Sequence, residues 1–320
     1  MCDISQIQHL NGGLCGLINL GATCYLNSVL QSFINNNHLL SHILNKNYSI
    51  NNTYSNNYLI NELHKLLTGV WSENCIVVPK SIINTLSEIE KSNLNVQNDP
   101  DEYYEKIICR IYEEICVKQN ETINIDENIN IDENINEKEW YKYFNKKFCF
   151  INNIFYGQYK SEIICLSCNN KCITYNPYIS LKLEIVNNNI ISCLKSHLSW
   201  ENNITYKCEK CNKENNAKKR FTLVKIPDIF VITLKRYNNI IEKNTMIIDF
   251  PLYFEIDSKK LELYCIINHF GPNIYCGHYT SYIKYIKNNE WYHMNDNNVE
   301  KIDINNIDKK NIYMLFYKKI

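Results

Sequence analysis

The hydrophobic period of this chain changes once along its length. Over residues 16–118 apolar positions recur at helical spacing. Leu26, Val29, Leu30, Phe33 and Ile34 form an i, i+3, i+4, i+7, i+8 stripe, and Leu59, Ile60, Leu63, Leu66 and Leu67 form a second. A further helix is expected over residues 101–117. Between 145 and 317 the apolar residues come in short strand-like runs, such as 221–226 and 229–234, broken by Pro227-Asp228. Helices first and strands later predict an α+β chain. The helical stripes are read as core faces.

Two segments escape either period. Residues 123–134 are two copies of the unit Ile-Asn-Ile-Asp-Glu-Asn. Two copies cannot stack into a solenoid, so the segment is read as a solvated surface loop within an insert at 119–139. Residues 45–57 are polar and are expected to link two helices.

The first stripe carries the leading chemical candidate. Gly21 and Thr23 interrupt the run just before Cys24, which places that cysteine in the first turn of a helix. Free N–H groups and the positive end of the helix dipole favour a thiolate there, the nucleophilic form of the side chain. A buried core cysteine is the competing reading, since free Cys is among the most buried residue types. The far end of the chain decides between them. Cys276-Gly277-His278-Tyr279-Thr280-Ser281-Tyr282 opens a strand expected over 279–286, and Trp291-Tyr292-His293-Met294-Asn295-Asp296 closes the next. A cysteine nucleophile needs a base, and the base needs a third group to hold its tautomer and ring plane. Cys24, His278 and Asn295 supply these chemistries, with Asp296 as an alternative partner for the histidine. Residues 270–277 are expected as a connecting loop, and His269, the rival base, is read as lying in a loop.

These motifs resemble those of the ubiquitin-specific proteases, papain-like cysteine deubiquitinases. Gly16-Leu17-Ile18-Asn19-Leu20-Gly21-Ala22-Thr23-Cys24-Tyr25 is similar to the family's cysteine box, and the Gly277-His278-Tyr279 and 291–296 segments to its histidine box. Gln97-Asn98-Asp99-Pro100-Asp101-Glu102 resembles its Gln/Asp/Glu box, and Leu234-Lys235-Arg236-Tyr237 and Phe250-Pro251-Leu252 its palm strands. The resemblance runs from about Gly16 to Tyr317. Ala22 stands where many members carry Asn, and Asn295 where many carry Asp.

The resemblance implies a catalytic domain at 16–317 after an N-terminal extension at 1–15. Its helical thumb would occupy 16–118, its β fingers 155–215, and its β palm 145–154 and 216–317. It implies that Asn19 donates to the oxyanion of the tetrahedral intermediate. Asp99 and Glu102 would pair with arginines of the ubiquitin tail, which suits carboxylate–guanidinium geometry. The same residues read equally well as a helix start, with Asp99 as N-cap, Pro100 at N1 and Glu102 at N3. Gln97, Gly277 and Tyr279 complete the expected substrate-binding set.

Cys165-Leu166-Ser167-Cys168 and Cys208-Glu209-Lys210-Cys211 form a second constellation. Two Cys-x-x-Cys knuckles can give a tetrahedral zinc four thiolates and no open position, which makes a structural site. A long strand over 173–185 and its partner would bridge the gap between them. Cys172 is close enough to compete, though it breaks the paired geometry; four leftover thiols are the alternative. The resemblance supports zinc at the fingertips. Cys75, Cys109, Cys116, Cys149, Cys193 and Cys265 follow no pattern and are read as packing residues.

Composition narrows the setting. A chain of 320 residues can bury one sizeable multi-lobed domain. Net charge is zero, which offers no bulk attraction to nucleic acid or an anionic membrane. Fifteen cysteines is an odd number, and no apolar secretory stretch follows Met1. No apolar run approaches the roughly 20 residues of a membrane span. A reducing compartment, cytosol or nucleus, is expected. The function expected is thiol-dependent hydrolysis after the terminal glycine of ubiquitin. A catalytically silent ubiquitin-binding module and a scaffold subunit active only with a partner are the alternatives.

Overall fold

The computed structural model describes residues 10–50, 58–91, 94, 96–116, 135–237, 242–273 and 276–320. The acidic repeat at 123–134 lies outside the described residues, as do residues 1–9 of the expected extension.

The α+β class holds. A short strand β1 (Gly16–Leu17) precedes α1 (Cys24–Ile34), α2 (Asn37–Leu44) and α3 (Leu59–Ser72). Then come β2 (Ile76–Val77), parallel to β1, and α4 (Lys80–Glu90), α5 (Pro100–Ile115), α6 (Ile135–Tyr143) and α7 (Phe150–Phe155). The strands β3 (Gly157–Cys165), β4 (Lys171–Tyr178) and β5 (Ser180–Glu184) follow, then α8 (Ile190–His197), β6 (Glu201–Cys208), β7 (Lys213–Lys225) and β8 (Ile229–Lys235). The chain ends in β9 (Tyr253–Ile256), β10 (Lys259–Asn273), β11 (Cys276–Lys284), β12 (Trp291–Asn295), β13 (Asn298–Ile302) and β14 (Ile312–Lys319). One sheet has the order β4-β3-β7-β6; the larger runs β13-β12-β11-β10-β14-β8-β5, with β9 also paired to β10.

Burial on both faces explains the unbroken apolar runs of the larger sheet. Ile229, Val231, Cys265, Ile267, Met314 and Phe316 face the helices. Their neighbours Phe230, Ile232, Leu234, Ile266, Leu315 and Tyr317 face the opposite side, against α8. Successive strand side chains alternate between faces, so a strand covered on both sides has no polar register to show.

Two buried carboxylates tie the helices to each other and to the sheet. Glu114 is fully buried and accepts from the free N–H groups of Leu59 and Ile60 at the start of α3, both at 2.9 Å. Arg110 Nε balances its charge at 2.8 Å. Asp101, near the start of α5, accepts from Ser180 Oγ and Thr233 Oγ1, each at 2.7 Å, and from Lys182 Nζ at 3.0 Å. A buried carboxylate so surrounded locks α5 onto β5 and β8.

Several expectations are corrected. Residues 10–15 of the expected extension pack against the end of α3, where Gly12 N and Gly13 N donate to Trp71 O and Val70 O at 3.1 and 2.7 Å. The last residues of the expected insert, 135–139, belong to α6, whose Trp140 is buried. The run 173–185 is two strands in different sheets, parted at Ile179. β7 continues the smaller sheet to Lys225, past residue 215. Phe250-Pro251-Leu252 is not a strand; Pro251 has no N–H to pair, and its carbonyl accepts from Tyr317 OH at 3.0 Å. The segment 270–277 is largely hairpin, with Asn273 paired to Cys276. Cys116 and Cys149 are joined in a disulfide rather than packed as thiols, linking the end of α5 to the start of α7.

Candidate active site

Cys24 is the first residue of α1, as its flanks require, and Thr23 stands at the N-cap position. The loop before it is closed by a side chain. Asn19 Oδ1 accepts from Gly21 N and Thr23 N, both at 3.1 Å, and from Thr23 Oγ1 at 3.2 Å. With its carbonyl fixed in this way, Asn19 can only present Nδ2 outward. That group donates to Asp296 Oδ2 at 3.0 Å.

A polar stripe on the buried side of α1 anchors the strand that precedes it. Asn27 Nδ2 donates to Leu17 O at 3.1 Å, Gln31 Nε2 to Cys15 O at 2.7 Å, and Asn35 Nδ2 to Gly13 O at 3.5 Å. Four residues of helix rise about 6 Å and two of extended chain about 6.6 Å, so the two repeats stay in step. Sequence reading missed these amides. Their signal was a second, polar stripe at i, i+4 and i+8, hidden among the apolar positions.

His278 and Asn295 come from β11 and β12. Asn295 Oδ1 lies 2.7 Å from His278 Nε2, and Asp296 Oδ2 lies 3.9 Å from the same nitrogen. An amide oxygen only accepts, so Nε2 carries the hydrogen and Nδ1 is left for the thiol. Hydrogen bonding to Cys24 is the largest influence on the ring; with help from Asn295 and Asp296 it outweighs burial and raises the His278 pKa to about 9. The imidazolium is thereby favoured at neutral pH.

Asp296 is the hub of the assembly. Its Oδ1 accepts from Asn27 Nδ2 at 2.8 Å, its Oδ2 takes Asn19, and its backbone O accepts from Leu17 N at 2.8 Å. It adopts φ of 50°, in the left-handed region that turns the chain after β12. Gly16 permits the close approach on the other side, because a Cβ there would sit 2.3 Å from Asn297 O.

The expected substrate-binding residues separate into exposed and engaged groups. Glu102 is 58% exposed and pairs with Lys106 at 2.8 Å, one turn along α5, rather than reaching back as a capping box. Asp99 caps α5 through Asp101 N at 2.9 Å and accepts from Tyr313 OH at 2.9 Å; burial, then the charge of Asp101, raises its pKa. Gln97 spends its amide inside the protein, on Gly277 N and His269 Nε2. Tyr279 is 2% exposed and stands behind the site against His269, so its side chain is no open contact surface. His269 is not in a loop: it lies in β10 opposite Tyr279 and is fully buried.

The second constellation gathers at one end of the smaller sheet. Because β3 pairs with β7, the β3–β4 and β6–β7 hairpins end side by side. Asn169 N donates to Cys165 O at 2.9 Å and Asn212 N to Cys208 O at 2.8 Å, and both asparagines have φ above 50°. The two knuckles are copies of one turn. Sγ atoms of Cys165, Cys168, Cys208 and Cys211 all lie within 4.8 Å of one another, with Cys168 and Cys208 3.7 Å apart. A thiolate tetrahedron with bonds of about 2.3 Å has edges of about 3.8 Å, so the donor set fits a metal ion. Backbone N–H groups of Cys211 and Lys210 point at Cys208 and help lower its pKa to about 7. Cys172 stays outside the cluster and hydrogen-bonds Tyr206.

Comparison with known proteins identifies the family and the fold. The profile of the family described as ubiquitin carboxyl-terminal hydrolase matches residues 15–317. Ubiquitin carboxyl-terminal hydrolase Usp2 of Drosophila melanogaster is 27% identical over 330 residues, covering 96% of this chain and 35% of that protein. Ubiquitin carboxyl-terminal hydrolase 8 of Saccharomyces cerevisiae is 26% identical, with 95% of this chain and 70% of that one covered. This chain thus spans about a third of the first relative's length. Among solved structures, the yeast SAGA DUB module with an Sgf73 mutant superposes with a TM-score of 0.74 at 26% identity, over 97% of this chain and 69% of that one. The SAGA DUB module of Ubp8, Sgf11, Sus1 and Sgf73 bound to monoubiquitin shares the fold, with a TM-score of 0.73 at 23% identity over 97% and 70%. With its profile matched across nearly the whole length, this chain belongs to the ubiquitin carboxyl-terminal hydrolase family.

Proposed function

We propose that the chain is a thiol-dependent deubiquitinase that hydrolyses the isopeptide or peptide bond after the C-terminal glycine of ubiquitin. The observation that carries this reading is the line from Cys24 at a helix start, through His278, to Asn295 at 2.7 Å. Cys24 attacks the glycine carbonyl as a thiolate, its proton held by His278. His278 then protonates the departing lysine amine, and later draws a proton from the water that hydrolyses the acyl-enzyme. Asn295 keeps the ring in plane. Asn19 Nδ2 and the Cys24 N–H stabilise the oxyanion, and Asp296 holds Asn19 in place for that task. Glu102, exposed near the start of α5, pairs with an arginine of the ubiquitin tail, and Asp99 supports that surface.

A zinc ion bound by Cys165, Cys168, Cys208 and Cys211 cross-links the two hairpin ends and takes no part in the hydrolysis. The four-thiolate donor set favours zinc over hard cations. Beside the one Cys116–Cys149 disulfide and the four-cysteine cluster, eight described cysteines stay unpaired, which supports a cytosolic or nuclear setting. The assembly of Ubp8 with three named subunits supports a second element of the reading, an activating partner.

A ubiquitin C-terminal propargyl probe tests the proposal. The expected result is a covalent adduct at Cys24 that Cys24→Ala abolishes. Labelling only after partner subunits are added supports partner dependence. An adduct in neither condition refutes the activity.

A further inference from the structure

His269 shares a hairpin with His278, yet its surroundings are those of a group held away from solvent. It faces Tyr279 across the β10–β11 pair, with ring centroids 4.3 Å apart. Each hydrogen bond leading to it has a determinable direction. Gly277 N donates to Gln97 Oε1 at 2.9 Å, so the other end of that amide, Nε2, is a donor. That donor lies 3.2 Å from His269 Nε2, which must therefore accept. The ring hydrogen is left on Nδ1, which meets the Tyr237 hydroxyl. Ring and backbone are also in direct contact, since a Cβ on Gly277 would lie 2.3 Å from His269 Nε2.

Among the described residues, the groups facing this ring include no carboxylate to support a charge on it. Tyr237 and Lys243 approach from the segment after β8, with Lys243 Nζ donating to His269 O at 2.5 Å. Tyr279 and His278 approach from β11 and Gln97 from the segment before α5; Asp99 there is turned to Tyr313 of β14. Burial, then the charges of Lys243 and His278, hold the imidazole down to about 3. A proton on Nε2 would set N–H against N–H and part the ring from Gln97.

We propose that His269 is a positioning residue: as the neutral Nδ1–H tautomer it fixes Gln97, and through Gln97 the Gly277 backbone that carries His278. The inference rests on the hydrolase reading above. It assigns Gln97 an internal task in place of a free hand for substrate, and it gives the second histidine of the hairpin a role distinct from that of the base.

Nitrogen-15 NMR of histidine-labelled enzyme reads the tautomer directly. The expected result is a neutral Nδ1–H signature for His269 from pH 8 to pH 5; an Nε2–H or imidazolium signature at pH 7 overturns the proposal. Kinetics supply the second arm. His269→Phe keeps the ring stack but accepts nothing, and is expected to lower kcat about tenfold or more with KM nearly unchanged, alongside a modest fall in melting temperature. Combining it with Gln97→Ala should add no further loss, because both break one relay. Wild-type kcat in His269→Phe, or fully additive losses, overturns the proposal. If that variant does not fold, the NMR arm on the unaltered enzyme decides. A wild-type enzyme that hydrolyses no ubiquitin conjugate refutes instead the reading on which the inference rests.

Discussion

The candidate active site and the four-cysteine cluster are built from opposite materials. At the candidate site, Asn19 and Asn27 reach Asp296 across more than 250 positions by amide–carboxylate hydrogen bonds, beside the backbone bond from Leu17 N, and Asn295 holds His278. In the cluster, four thiols meet because two identical turns end adjacent hairpins. Buried groups at the candidate site are best satisfied within the protein, because an unmade buried hydrogen bond costs about 1–3 kcal/mol. At the four-cysteine end of the smaller sheet, a bound metal would add folding free energy of its own. Damage to one should therefore leave the other standing.

The largest effect should fall on the nucleophile. Cys24→Ala should lower hydrolysis of a ubiquitin–fluorophore amide by about 10⁴-fold or more, while calorimetry finds ubiquitin still bound. His278→Ala should be as damaging, since the two act as a unit. An active His278→Ala beside an inactive His269→Ala would reverse their assigned roles.

Metal removal sharpens the contrast. Elemental analysis should find about one equivalent of zinc per chain. Cys165→Ser/Cys208→Ser should lose it, raise KM about tenfold, or ~1.4 kcal/mol, and leave kcat near wild type. A metal-free protein with unchanged KM in that double mutant would remove the metal site.

Smaller losses should follow from the polar ties. Asn27→Ala strands Asp296 Oδ1 and Leu17 O, and is expected to cost about 2–3 kcal/mol in denaturant unfolding together with part of kcat. Unchanged stability would show that the stripe on α1 holds nothing.

The mildest prediction concerns pH. His278 is raised to about 9, first by Cys24 and also by Asn295, and the leaving amine needs the imidazolium. The alkaline limb of kcat/KM should therefore lie near pH 9. Asn295→Ala removes an interaction that favours the charged ring, so the limb should move to lower pH. A shift upward would contradict the hydrogen bond.

Legibility differed between the two regions for a physical reason. Cys24 was readable because a helix start is local: flanking Gly21 and Thr23, then an apolar stripe, suffice. The Cys-x-x-Cys spacings were readable because each knuckle is a self-contained turn. His269 was misread because loop-like flanks, Phe270 and Gly271, continue β10 as a hairpin arm. The run 173–185 was misread because a strand that leaves one sheet for another at Ile179 keeps the same apolar residues throughout.

By itself the sequence determined the α+β order of elements, the cysteine at a helix start, the histidine strand and the two thiol pairs, because periodicity, caps and short spacings act over a few residues. Only the tertiary structure decided which polar groups meet. Asn27 and Gln31 look like interruptions of a helix until β1 lies beside them, and Asp296 looks like a strand-end turn until Asn19 and Asn27 reach it. Hydrogen-bond partners are set by three-dimensional proximity and direction, and neither is written in linear spacing.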